Sequence, residues 1–246
     1  MGACMGFFQT LFSIAAIISV YPAGHNCVTL RSAMDDTPQD NLPAGIVRAI
    51  SREALANLPI GRYHGAVHLV TSPHEVALAL ADIRQERVTG FDTETRPSFR
   101  KGEFHLPCLA QVATARAVYL FPLRHTEAFP ALTELLSEAR FVKAGVALAD
   151  DLRTLKALFP FNEKSIVDLG KVARRRGLEQ TGVRNLAAIF LGFRIPKGAR
   201  TSNWAAPRLT EAQVTYAATD AWVCRELYLR MESLGLFLKD EGTFKG

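Results

Sequence analysis

The sequence predicts one α/β domain running from about residue 60 towards the C-terminus. Three observations carry this. Residues 88–95, 109–113 and 117–121 form three consecutive β-branched and apolar runs with turn residues between them, as adjacent strands do. Beyond them, helix-periodic segments predominate and end in one long stretch over 210–234. The chain of 246 residues is 48% hydrophobic, enough to bury one ordinary core with an extension to spare.

The elements follow in order. Residues 1–33 stand apart from the rest. Phe7 to Val20 is almost wholly apolar, shorter than the roughly 20 residues a membrane-spanning helix needs. No Lys or Arg precedes it, so the positive region of a signal peptide is missing. A start site assigned too early, with Met34 as the true start, a signal or anchor, and a packed helix all remain open for this stretch. Residues 34–61 are a lead segment with a helix at Ile46–Leu58, spaced by Ile46, Ile50, Leu55 and Leu58. The domain proper is expected over 62–238, with a tail at 239–246.

Within the domain, Ala66–Val70 reads as a strand. Ser72-Pro73-His74-Glu75 then opens a helix to about Arg84, with Ser72 as cap and Pro73 at the first helical position. Thr114-Ala115-Arg116 is the turn between the second and third of the consecutive strands, which are expected to be antiparallel. Helices follow at 129–136, 148–159, 169–176 and 183–191, and Thr210 caps the last and longest. Phe141–Val146 is a short strand and Ile166–Leu169 an extended or turn segment.

The formal charge is +5, compatible with a polyanionic partner. The four cysteines (Cys4, Cys27, Cys108, Cys224) have neither CxxC pairing nor a histidine at metal spacing. A zinc site and a secreted disulfide framework are therefore not expected, and reduced thiols in the cytoplasm are. The N-terminal apolar stretch leaves export or membrane attachment open.

Chemistry concentrates in three places. Asp92 and Glu94 are two apart in a strand, so their carboxylates share one face. Like charges this close oppose one another's ionisation, and a divalent cation would relieve the conflict. Asp150 and Asp151 open a helix after the strand that turns at Gly145, where either could be a simple cap. Tyr216 and Asp220 are four apart on one helix face, with small residues between them that let a neighbouring backbone come close. Four acids on three elements with one tyrosine form the set that two-metal phosphoryl chemistry requires.

Phe91-Asp92-Thr93-Glu94, then Lys143-Ala144-Gly145-Val146 through Asp151, then Tyr216-Ala217-Ala218-Thr219-Asp220 resemble, in order and spacing, the three motifs of the DEDDy 3′–5′ exonucleases. That group includes ribonuclease D and the Werner syndrome exonuclease domain. Leu109-Ala110-Gln111, Lys197, Ser202-Asn203-Trp204, Leu209 and Gln213 extend the resemblance, which covers about residues 62–233. It implies a ribonuclease H-like fold, a mixed five-stranded sheet flanked by helices.

It also implies two divalent cations, Mg²⁺ or Mn²⁺. Asp92, Glu94 and Asp220 would hold the first, with Asp92 reaching the second. Asp151, favoured over Asp150 by the family spacing, would act through a coordinated water, and Tyr216 would position the nucleophilic water. The expected partner is DNA or RNA with a free 3′ end, cut to nucleoside 5′-monophosphates, with no small-molecule cofactor and no membrane. Lys101, Lys197 and Arg200 could grip phosphates, and Trp204 either stacks on a base or, the favoured reading, packs against the domain. The alternative is a catalytically silent nucleic-acid-binding or scaffold module on the same fold.

Overall fold

A computed structural model describes residues 42–100, 102–199 and 201–238; these all belong to one unit. The expectations for the apolar stretch at 7–20 and for the 239–246 tail lie outside the described residues. Among the described residues, no helix is long and apolar enough to cross a membrane.

The elements are α1 (Arg52–Asn57), β1 (Ala66–Leu69), α2 (Pro73–Ile83), β2 (Val88–Thr95), β3 (Pro107–Ala113) and β4 (Ala117–Pro122). A 3₁₀ turn leads into α3 (Phe129–Ser137), β5 (Val142–Gly145), α4 (Leu148–Leu155), β6 (Ile166–Asp168) and α5 (Leu169–Arg175). The chain ends in α6 (Val183–Leu186), which widens into a π-turn at Ala187–Leu191, and α7 (Glu211–Ser233). The strands make one mixed sheet in the order β1-β4-β3-β2-β5-β6. β2, β3 and β4 are antiparallel neighbours, as expected, whereas β1 joins β4, and β5 and β6 extend from β2, in parallel. The sheet has six strands rather than five. The sixth is the short extended segment at 166–168, which pairs with β5 through Lys143–Gly145.

Alternation along β2 sets the two faces. Phe91 is fully buried with Ile83, Leu132, Leu148 and Leu155 in the core beneath α2, α3 and α4. Gly90, Asp92 and Glu94 point the other way, towards α7. There Ala217, Ala218 and Ala221 pack with Leu109, Leu120 and Trp204. A Cβ on Gly90 would lie 1.8 Å from the carbonyl oxygen of Ala221, so glycine lets the helix backbone rest directly on the strand. The close backbone approach falls at Ala221, one residue past the small residues between Tyr216 and Asp220, and is made possible by Gly90.

The capping predictions hold at both ends of the domain. The Ser72 hydroxyl accepts from the Glu75 N–H while Glu75 accepts from Ser72, and Thr210 and Gln213 repeat this box at the start of α7. The predicted helix at 46–58 is instead α1, only Arg52–Asn57. Ile50 N–H donates to the Gln180 side chain at 3.0 Å, the Gln180 amide donates back to the Ile50 carbonyl at 3.2 Å, and Glu179 N–H donates to the Arg48 carbonyl at 3.0 Å. These bonds take the backbone groups a helix would use, and Ser51 then caps the shorter helix. The helix expected over 148–159 ends at Leu155, where i→i+3 turns replace it.

Candidate active site

The acids meet at the C-terminal end of β2. Carboxylate oxygens of Asp92, Glu94 and Asp220 all lie within 4.8 Å of one another. β2 supplies two because residues two apart share a face, and α7 supplies the third because Gly90 and the alanines let it sit down on the sheet. Glu94 and Asp220 are buried. Burial, then the charges of Asp220, Glu94 and Asp151, hold the Asp92 carboxyl well above the usual carboxylate range. Without a cation, this group of acids cannot all ionise comfortably.

Asp151 stands slightly apart, on the first turn of α4. Its Oδ1 accepts from the Thr93 hydroxyl at 2.8 Å. Burial raises its pKa, and the Thr93 bond pulls the other way. Its neighbour Asp150 turns outward, with a side chain 88% exposed and paired to Arg153 at 3.1 Å. Of the two aspartates, only Asp151 faces the other acids.

The β5–α4 turn that aims Asp151 is not made by Gly145. Gly145 is needed because a Cβ there would lie 2.5 Å from the Phe91 carbonyl oxygen. The left-handed residue is Ala147, at φ +61°, a conformation that alanine reaches only at a cost. Asp168, at the end of β6, meets that cost. Its Oδ1 accepts from the N–H groups of Ala147 at 3.1 Å, Gly170 at 3.0 Å and Lys171 at 3.3 Å. One carboxylate thus fixes the turn before α4 and caps α5. The sequence reading missed Asp168; its only signal was an aspartate placed just before a helix.

Tyr216 is half-buried, and its hydroxyl lies beside the Asp220 carboxylate. Burial first, then Asp220 and Glu94, push its pKa well up, so the phenol stays protonated at neutral pH. The Ser202-Asn203-Trp204 segment braces it. The Gln213 amide donates to the Ser202 hydroxyl and to the Asn203 carbonyl, both at 3.1 Å. The Trp204 ring lies 6.1 Å from the Tyr216 ring. Trp204 is only 1% exposed, which bears out packing against the domain and corrects the base-stacking assignment: an indole closed in by Leu109, Leu120 and α7 has no face to offer a base. Lys197 is exposed nearby, while Lys101 and Arg200 lie outside the described residues. Gln111 also went unrecognised as a site residue. It sits opposite Asp92 in the β2–β3 register, fully buried, with neither amide atom hydrogen-bonded.

The strand order, the long C-terminal helix and the acids gathered where it crosses the sheet define a ribonuclease H-like nuclease scaffold. Solved structures agree on the fold. The EXO domain of Aedes aegypti Nibbler superposes with a TM-score of 0.64 at 22% identity, covering 71% of this chain and 92% of that one. Trypanosoma brucei RNase D in complex with RNA U12 gives 0.60 at 16%, covering 79% and 68%. The family model described as 3′–5′ exonuclease matches residues 67–235, and the chain belongs to that family. Similar curated proteins include the bifunctional 3′–5′ exonuclease/ATP-dependent helicase WRN of Mus musculus, 29% identical over 189 residues, and ribonuclease D of Gluconacetobacter diazotrophicus, 30% identical over 164. These alignments cover 73% and 65% of this chain but 14% and 41% of the relatives, so the chain spans less than half the length of either.

Proposed function

We propose that this protein is a metal-dependent 3′–5′ exonuclease that hydrolyses DNA or RNA from a free 3′ end and releases nucleoside 5′-monophosphates. The observation that carries the proposal is the convergence of the Asp92, Glu94 and Asp220 carboxylates within 4.8 Å, with Tyr216 beside the same Asp220. The donor set fits hard divalent cations, being all oxygen and anionic. Burial first, and then the neighbouring carboxylates, raise the Asp92 pKa, and a bound cation would offset both.

Asp92, Glu94 and Asp220 would hold the first of two cations, Mg²⁺ or Mn²⁺, with Asp92 shared with the second and Asp151 beside it. When bound, the cations would neutralise the phosphate, activate the attacking water and stabilise the leaving oxygen. Tyr216, kept as a phenol, would orient that water rather than take its proton. Thr93 would hold Asp151 in its rotamer. The water oxygen bonds to phosphorus, the bond from phosphorus to the 3′ oxygen of the preceding nucleotide breaks, and the shortened strand keeps a 3′-hydroxyl. The cytoplasmic location expected from the sequence belongs to the same proposal; Cys108 and Cys224, free thiols, accord with it.

The test is a pair of 5′-labelled DNA and RNA oligonucleotides of one sequence, incubated with Mg²⁺ or Mn²⁺. A ladder shortening from the 3′ end, absent with Asp92→Ala, is expected. Binding without shortening under either metal would overturn the proposal.

A further inference from the structure

We infer that the cleft beside Tyr216 seats the nucleoside immediately 5′ of the scissile phosphate, with Arg62 contacting the strand's backbone. This rests on the exonuclease reading and adds to it a subsite and a residue that the motifs do not reach.

The cleft has a volume of about 540 Å³, within the range that encloses a small organic ligand. One wall is the face of α7 formed by Ala212, Thr215, Tyr216 and Thr219. The other is the segment carrying Ile195, Pro196, Gly198 and Ala199. Gly198 closes the inner end against Tyr216, where a Cβ would lie 2.8 Å from the tyrosine ring. Tyr216 lines the cleft and lies beside Asp220, so it links the cleft to the acidic cluster. The strand that remains after cleavage must leave the acids by some path, and this cavity shares Tyr216 with them.

Its chemistry suits a nucleoside. The walls are mostly apolar, and a base presents a flat apolar face of any sequence. Arg62 stands at the rim, exposed, and its backbone is pinned on both sides. Gly61 N–H donates to the Arg194 carbonyl at 3.0 Å, and Tyr63 N–H donates to the Thr219 hydroxyl at 3.1 Å. Arg62 has no ion-pair partner among the described residues, so its guanidinium is available to a phosphate. Glu211 also lines the cleft. Its carboxylate repels phosphate and accepts hydrogen bonds, so it favours a sugar hydroxyl or a base amine at its end and leaves the phosphate to Arg62.

The test uses two variants at exposed positions, Arg62→Ala and Ala212→Trp, the second to fill the cleft. Three readouts separate the possibilities. The first is anisotropy of a fluorescein-labelled single strand of about twelve nucleotides in EDTA. The second is KM for the same strand with metal. The third is hydrolysis of the p-nitrophenyl ester of thymidine 5′-phosphate, which carries a terminal nucleotide and a scissile phosphate but no nucleoside on the 5′ side.

Both variants should raise Kd and KM for the strand about five- to tenfold and leave ester hydrolysis within about twofold of wild type. Arg62→Ala should also flatten the dependence of log Kd on log salt by about 0.7, one phosphate on a single strand. Equal losses on strand and ester would overturn the inference, because the cleft would then hold the released nucleotide. Unchanged Kd and KM in both variants would overturn it too. If wild type cleaves neither substrate, the exonuclease reading fails, and the anisotropy arm still decides whether the cleft binds a strand.

Discussion

Gly90→Ala is the sharpest perturbation of the site made without touching it. The new methyl would lie 1.8 Å from the Ala221 carbonyl oxygen and 2.8 Å from the Arg225 nitrogen. Both are backbone atoms and cannot swing aside. β2 cannot yield either, because Gly90 is paired with Ala113 on one side and Ala144 on the other. α7 must therefore retreat, by roughly 1.6 Å to restore ordinary contact. Asp220 directly precedes Ala221, so the same displacement pulls its carboxylate out of the 4.8 Å cluster. Overpacking of this kind costs about 1–3 kcal/mol. For a domain of this size that lowers Tm by roughly 2–12 °C. A misplacement of about 1 Å at a reacting centre costs on the order of a hundredfold in kcat, so activity should fall much further than stability. The assay is mononucleotide release at a temperature well below the variant's Tm, beside a thermal melt. Gly182→Ala, where a methyl meets nothing within 4 Å, is the control and should change neither. A Gly90→Ala protein with wild-type kcat and Tm would refute the claim that direct backbone contact sets the position of Asp220.

Two further predictions follow from neighbouring side chains. Asp151→Asn should lower kcat on the order of a hundredfold and Thr93→Val by about tenfold, the worth of a hydrogen bond to a charged group. Asp150→Asn should stay near wild type, and a loss there equal to that of Asp151→Asn would reverse the assignment. Lys143 is fully buried, with its ammonium donating to the Glu138 and Phe141 carbonyls, and burial pushes its pKa down to about 8. Below pH 8 both folded and unfolded states are protonated and the full penalty of about 3 kcal/mol applies. Between pH 8 and the unfolded value near 10.5 the folded state sheds its proton first, so stability rises with pH. Urea melts from pH 7 to 9.5 should show that rise in wild type and not in Lys143→Met; the same slope in both would sink the assignment.

The site was legible where chemistry and periodicity coincide. Asp92 and Glu94 declare a shared face by their spacing alone, and Tyr216 and Asp220 do so by one helical turn. Ser72 and Thr210 announce their helices because capping is local. What the sequence hid depends on distant partners. The apolar spacing of 46–58 suggested a full helix, but Gln180, far along the chain, claims the backbone at Ile50. An alanine gives no sign that it will be left-handed, and Ala147 is so because Asp168 receives its N–H. Asp150 and Asp151 are indistinguishable by type and differ only in which way the first turn of α4 faces. Trp204 has the composition of a stacking residue, and its burial follows from Gln213 drawing the preceding loop onto α7.

The contact between α7 and Gly90 also sets an order in time. Asp92, Glu94 and Asp151 emerge from the ribosome well before Asp220 and Tyr216, which sit on α7, the last helix among the described residues. A nascent chain that has not yet released α7 holds two of the three clustered carboxylates and lacks Tyr216. On the proposed mechanism the site would be incomplete until α7 docks on β2. A fragment ending at Arg208 should accordingly carry the first two motifs and cleave nothing.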